Sequence, residues 1–123
     1  MLYKVRLELA RNKEFPTGSA AHGYELIAPL TADGHLDAQA WRANKNVCSV
    51  RRFWPGQPDE HGQIEHKGNR WLFSYAPGAD DDEPIFRLGE HLFKPGEYIS
   101  ITEHDGVQRT FTVASAKPAM MPA

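Results

Sequence analysis

The N-terminal segment alternates apolar and polar side chains over residues 2–10. Its apolar positions all fall on one side of an extended chain, at Tyr3, Val5, Leu7 and Leu9. The polar positions between them are Lys4, Arg6 and Glu8. A period of two predicts a β-strand with one face in the core and one face toward water.

Shorter runs of the same kind, rich in β-branched and aromatic residues, predict further strands along the chain. These cover residues 23–30, 47–54, 64–66 (a weak one), 70–75, 85–88, 97–103 and 108–115. The pair Asp105-Gly106 is the strongest hairpin signal between two of them. Residues 55–62 and 76–84 are polar and rich in turn formers, so we expect the first to be a turn region and the second an exposed loop.

One segment predicts a helix, at about 37–44. Asp37 can accept a hydrogen bond from the first turn, and the residues that follow are good helix formers. Trp41 is the only large apolar side chain in it, so the helix should have little stability of its own. We expect the Trp41 indole to plug the end of a sheet or barrel.

Together these elements predict a mainly β fold, a small antiparallel β-barrel or roll of six to eight strands with one short α-helix. Strands and helices do not alternate, which argues against a parallel α/β fold. The length of 123 residues favours one domain. We expect a single β-rich domain over residues 1–117 and a flexible C-terminal tail over 118–123.

Composition narrows the compartment and the partners. The formal net charge of −2 provides no long-range attraction to nucleic acid or to an anionic membrane. No apolar run has the length of a secretory signal or a membrane span. Cys48 is the single cysteine, which excludes an intrachain disulfide. These features favour a reducing, cytoplasmic setting without membrane association.

No motif for a catalytic nucleophile, a phosphate-binding loop, a dinucleotide or zinc occurs in the sequence. Cys48 lies in an apolar run, where a cysteine usually behaves as a small buried hydrophobe. The six histidines are dispersed, and the acidic run Asp80–Glu83 is typical of a solvated loop. The sequence therefore predicts no catalytic residue, no metal site and no cofactor, and it leaves open whether the protein is an enzyme.

Arginine is interleaved with large aromatic residues in segments 50–54 and 70–73. Such segments can pack in a core, form a protein or small-ligand interface, or bind single-stranded nucleic acid. In an extended strand, Arg51 and Phe53 share one face and Arg52 and Trp54 the other. The candidate ligand-binding or partner-binding residues are Arg51, Arg52, Trp54, Trp71 and Arg109.

Two resemblances accompany this pattern. Residues 93–101 and 109–115 resemble the flavin-binding barrel of ferredoxin-reductase-like enzymes, which implies that Arg109 would meet a flavin phosphate and Thr112 would be its hydroxyl partner. The chain as a whole resembles short bacterial proteins without an assigned function, through residues 15–16, 22–26, 33–34, 51–54 and 95–98.

The leading expectation is a small β-barrel that acts as a binding or interaction module without catalytic activity. Its partner would be a small ligand or a protein, and a homodimer would cover aromatic strands that exceed the core. One alternative is a ligand-dependent enzyme or flavin-binding barrel that uses Arg109. A second is single-stranded nucleic-acid binding through Arg51 and Arg52, which the net charge makes unlikely.

Overall fold

A computed structural model describes residues 2–68, 70–75, 83–85, 92–103 and 105–119. The described chain is mainly β. Its strands are β1 (Leu2–Leu9), β2 (Ser19–Pro29), β3 (Ser49–Trp54), β4 (Gln57–Lys67), β5 (Arg70–Ser74), β6 (Glu83–Ile85), β7 (Tyr98–Thr102) and β8 (Gln108–Pro118). One helix, α1 (Ala38–Ala43), and one 3₁₀ turn, Lys45–Val47, lie between β2 and β3.

The strands form a closed barrel. Each strand pairs antiparallel with the next one in sequence, and β8 pairs with β1. Closure between β6 and β7 is through the pair of Ile85 with Ile101. Up-and-down order brings the β1–β2, β3–β4 and β7–β8 connections to one end of the barrel, here called the hairpin end. The segment with α1 lies at the opposite end, here called the helix end.

The core lies inside the barrel and follows the predicted alternation. Val5, Leu7 and Leu9 are buried, whereas the polar residues between them are at least partly exposed. The same parity buries apolar side chains on the other strands, among them Leu26, Ala28, Val50, Ile64, Phe73, Ile99, Ile101, Phe111 and Val113. The predicted mainly β, antiparallel barrel is therefore confirmed.

The structure corrects the expectation for residues 55–62. Only Pro55 and Gly56 form a turn, and β4 begins at Gln57. Gly56 has a φ of 78°, a left-handed conformation that glycine adopts at little cost. The polar residues after it pair with β3, so ladder hydrogen bonds outweigh their poor strand propensity.

Other boundaries move by a few residues. β2 begins at Ser19, and β8 continues to Pro118, which pairs with Tyr3. β6 spans Glu83–Ile85, so it includes the last two residues of the predicted loop (76–84) and the first residue of the predicted strand (85–88). Residues 76–82 of that loop and 86–88 of that strand lie outside the described residues, as do His91, His104 and most of the acidic run. No helix in the described part of the chain is long and apolar enough to cross a membrane.

Helix α1 plugs the helix end as predicted. The Asp37 side chain accepts a hydrogen bond from the Ala40 N–H at 3.0 Å and caps the helix. Trp41 is buried, and its indole N–H donates to the Ile64 carbonyl at 2.8 Å. The edge of the indole meets the Trp71 ring at a centroid distance of 5.8 Å. Trp41 is thus the one buried side chain of this short helix.

We predict that Trp41→Ala lowers the free energy of unfolding by about 3–5 kcal/mol. The substitution removes a large buried ring and leaves the Ile64 carbonyl without the indole hydrogen-bond donor. Arg42→Ala, an exposed position on the same helix, is the matched control and should change stability by less than about 0.5 kcal/mol. Urea unfolding measures both free energies of unfolding, and it is monitored by the backbone signal in far-UV circular dichroism because one variant lacks a tryptophan. Equal stability of the two variants would contradict the plug.

Candidate binding site at the hairpin end of the barrel

The inward face of the barrel changes from apolar to polar at the hairpin end. On β2 the parity that buries Leu26 also turns Tyr24 and His22 inward, and both are buried. On β3 and β8, Arg52, Trp54 and Arg109 likewise fall on the inward face, in step with the buried Val50 and Phe111. Glu103 directly follows β7 and continues the face of Ile99 and Ile101. These six side chains, from Tyr24, His22, Arg52, Trp54, Glu103 and Arg109, are here called the polar cluster.

Glu103 is the centre of the polar cluster. Its side chain has 0% exposure to solvent. Oε2 accepts hydrogen bonds from the Tyr24 hydroxyl at 2.6 Å and from Arg52 Nε at 3.0 Å, and Oε1 accepts one from Arg109 Nη1 at 2.7 Å. A buried carboxylate is tolerated only when it is paired and hydrogen-bonded, and here both oxygens are.

Arg52 is nearly as buried as its partner. Its side chain is 6% exposed, and Nη1 donates to Gln57 Oε1 at 3.2 Å. The guanidinium lies over the Trp54 ring, 4.2 Å from its centroid. Burial acts to lower the pKa of Arg52, but the charge of Glu103 and hydrogen bonding outweigh it, so the pKa is raised. Arg52 therefore stays charged inside the barrel.

Arg109 connects the buried cluster to the surface. Its side chain is 25% exposed and pairs with Glu103 and also with Asp105, whose Oδ2 lies 3.0 Å from Nη1. Burial acts to lower the pKa of Arg109, but the hydrogen bonds that it donates to Asp105 and Glu103, and the charges of these carboxylates, outweigh burial, so the pKa is raised. The guanidinium is thus fixed in orientation while part of it remains open to solvent.

His22 closes the cluster on the side of the β1–β2 loop. Its Nδ1 lies 2.6 Å from Ser19 Oγ, and its ring packs edge-on against Trp54 at 4.3 Å between centroids. Phe15 of the loop covers the ring from another side at 4.6 Å. Burial and the charge of Arg52 lower the pKa of His22, against a smaller opposing effect of Glu103 and of Glu14.

Two adjoining concavities lie on the surface beside the cluster. The basic concavity has a volume of about 360 Å³ and is lined by the β1–β2 loop and the start of β8, with Arg11, Lys13 and Arg109 among its residues. The Tyr98 concavity has a volume of about 670 Å³ and is lined by the ends of β1 and β2 and by Tyr98, Thr110 and Thr112. Ala10, Arg11 and Thr110 line both.

The structure brings three of the five candidate residues together, namely Arg52, Trp54 and Arg109. Trp71 lies at the opposite, helix end, where it stacks on His66 at 4.3 Å between centroids. Arg51 lies on the outer face of the barrel, paired with Asp59 at 2.8 Å and with Glu25 at 3.3 Å. The predicted division of Arg51 and Arg52 between two faces is what the structure shows.

Sequence reasoning did not single out Glu103, Tyr24 or His22. The available signal was parity, because Glu103 continues the apolar face of Ile99 and Ile101. The two residues named by the flavin resemblance line adjoining surfaces, Arg109 the basic concavity and Thr112 the Tyr98 concavity. Arg109 already donates hydrogen bonds to two carboxylates.

Other candidate chemistry is limited in the described part of the chain. Cys48 is a free, buried cysteine, as expected, and burial raises the pKa of its thiol to about 11. A neutral, enclosed thiol is a poor nucleophile. Among the described residues no group of three or more His, Cys, Asp or Glu is arranged to hold a metal ion.

Comparison with known proteins gives no match, since no protein-family model, no curated protein and no solved structure is significantly similar to this chain. The function proposed below therefore rests on the geometry of this chain.

We predict that Glu103→Gln destabilises the protein by about 3–5 kcal/mol, because it removes the buried counter-ion of Arg52 and leaves only the more distant, partly exposed Glu60, at 3.8 Å. Asp105→Asn is the matched control. It removes a carboxylate from Arg109, to which Glu103 also bonds, at a position that is 48% exposed, and it should cost less than about 1 kcal/mol. Chemical denaturation measures both variants, and a loss for Glu103→Gln no larger than that of the control would contradict the central role of Glu103.

We predict that His22 makes stability fall as the pH decreases below about 6.5, its ordinary pKa. The native pKa is lowered, so the unfolded chain binds the proton first and the loss continues down to the native pKa. The slope is at most about 1.4 kcal/mol per pH unit. His22→Gln should flatten this slope below pH 6.5. A wild-type slope in the His22→Gln variant would show that another group is responsible.

Proposed function

We propose that this protein is a binding module without catalytic activity, and that it binds a small anionic ligand in the basic concavity. One observation carries the proposal. Arg11 and Lys13 are exposed in this concavity, and neither forms an ion pair or a side-chain hydrogen bond with a described residue. Cations without partners in a concave surface are a favourable setting for an anion.

The charge of the basic concavity is opposite to that of the chain. Arg11, Lys13 and Arg109 face a single acidic lining residue, Glu14, which gives 3 − 1 = +2 against a net charge of −2 for the whole protein. Glu103 and Asp105 partly neutralise Arg109. The attraction for an anion therefore depends mostly on Arg11 and Lys13, and Arg109 contributes an oriented donor group.

The walls of the concavity are held in place before any ligand binds. The Ala10 N–H donates to the Thr110 carbonyl at 3.0 Å, which ties the start of the loop to β8. Asn12 Oδ1 accepts hydrogen bonds from the backbone N–H groups of Glu14 and Phe15, both at 2.9 Å. Because the loop is already ordered, binding loses less conformational entropy.

The polar cluster supports binding over catalysis. Both oxygens of Glu103 accept hydrogen bonds in the resting structure, so this carboxylate is poorly placed to take a proton from a ligand. The buried Cys48 thiol supports the same conclusion, and a lone free cysteine suits a reducing compartment such as the cytoplasm.

The outer face favours a small ligand over single-stranded nucleic acid. Phe53 is only 8% exposed because Arg6 and Arg51 cover it from two sides, with guanidinium carbons 4.5 Å and 5.0 Å from the ring centroid. The ring cannot stack on a base while it is covered. Arg51 is also engaged by two carboxylates, which lowers its value for phosphate contacts.

A flavin-binding barrel is the second candidate, supported by the placement of Arg109 and Thr112 on adjoining concavities. Flavin mononucleotide carries a phosphate for the first and a polar chain for the second. Quenching of flavin fluorescence on titration with the protein, absent with riboflavin, would support this candidate. Equal quenching by both compounds, or quenching by neither, would contradict it.

We predict that the protein binds inorganic pyrophosphate, and that Arg11→Ala combined with Lys13→Ala weakens binding at least tenfold. The matched control is Arg70→Ala combined with Lys117→Ala, which removes the same charge at exposed positions outside both concavities. Isothermal titration at ~50 mM salt measures the affinities, which should fall as salt increases. No binding by the wild-type protein, or equal losses in both double variants, would overturn the proposed site.

A further inference from the structure

The exposed apolar side chains of the described residues are concentrated in the two concavities. Large hydrophobic residues with high exposure are Tyr98, at 58%, and Val107, at 46%. Tyr98 lines the concavity named after it, and Val107 lines the basic concavity. Because Ala10, Arg11 and Thr110 line both, the two concavities adjoin at the β1–β8 seam, and together they are here called the groove. Exposed apolar groups in a concave, partly charged surface are typical of ligand sites.

The Tyr98 part of the groove has a different chemistry from the basic part. An exposed phenol ring presents a face with negative partial charge, which suits the C–H groups of a sugar ring. Thr110 and Thr112 lie on the outer face of β8, with Thr112 directly opposite Tyr98 in the sheet. Their hydroxyls can both donate and accept hydrogen bonds, as the hydroxyls of a sugar require.

Glu8 adds selectivity to this part of the groove. Its carboxylate lines the Tyr98 concavity and accepts a hydrogen bond from Arg6 Nε at 2.7 Å. A carboxylate has about four lone-pair sites, so it can still accept from a ligand hydroxyl. The same charge repels a second anionic group. The ligand should therefore be anionic at the basic end and uncharged but hydroxylated at the Tyr98 end.

We propose that the ligand of this groove is a phosphorylated sugar, either free or as part of a nucleotide, with its phosphate beside Arg11 and Lys13 and its ring on Tyr98. The inference rests on the anion site proposed above and extends it. Arg11 lines both parts of the groove, and Thr112 and Thr110 are two residues apart, about 7 Å along the strand.

The test compares inorganic phosphate, glucose, glucose 6-phosphate, ribose 5-phosphate and adenosine monophosphate by isothermal titration with the whole protein. We predict that at least one of the two sugar phosphates binds tenfold or more tightly than inorganic phosphate, and that glucose alone binds weakly. Tyr98→Ala should abolish this advantage and leave phosphate affinity unchanged. Tyr98→Phe keeps the ring and should retain the advantage. Tyr98 is exposed, and equal melting temperatures would confirm that both variants fold.

The outcomes separate the two proposals. If neither phosphate nor any phosphorylated compound binds, the anion site itself is wrong. If phosphate binds and neither sugar phosphate binds more tightly, the anion site stands and the sugar inference is overturned. The sugar inference is also overturned if adenosine monophosphate alone binds more tightly than phosphate, because the base would then be the recognised group. It is overturned as well if Tyr98→Ala still binds a sugar phosphate more tightly than phosphate by the wild-type factor.

Discussion

The structure of the hairpin end of the barrel depends on the hydrogen bonds and ion pairs of the buried Glu103 carboxylate. It is bonded by Tyr24, Arg52 and Arg109, which belong to three different strands. A charge of this kind inside a barrel is costly unless all of its partners are present together. The hydrogen bonds of Glu103 therefore connect β2, β3 and β8 to the residue that follows β7. An apolar side chain at this position would not fix the orientation of its neighbours in this way.

The two ends of the barrel are closed by different chemistry in the described part of the chain. The helix end is closed by Trp41, an apolar plug with its one polar group satisfied internally. The hairpin end is closed by ion pairs to Glu103, and one of the paired residues, Arg109, remains partly exposed. Glu103 and Asp105 fix the orientation of that guanidinium beside the basic concavity.

Much of the fold could be predicted because alternation of side chains directly reports which face of a strand is buried. The strand at residues 2–10, the cap at Asp37 and the separation of Arg51 from Arg52 all follow from local patterns. β4 was harder, because strand pairing with its neighbours decides the structure of a segment whose composition is typical of turns. The polar cluster could not be assembled from the sequence, since Glu103 meets residues 51 and 79 positions away. Arg11 and Lys13 lie in a loop, where no periodicity indicates which side chains share a concavity.

The most direct measurement of the central claim is the solvent exchange of the Arg52 Nε–H proton, observed by nitrogen-15 NMR at neutral pH. If this proton is enclosed and donated to Glu103, it should give a resolved signal that exchanges far more slowly than the corresponding proton of the exposed Arg42. Exchange as fast as that of Arg42 would show that the pair is open to water. The barrel would then not be closed by a buried charge network.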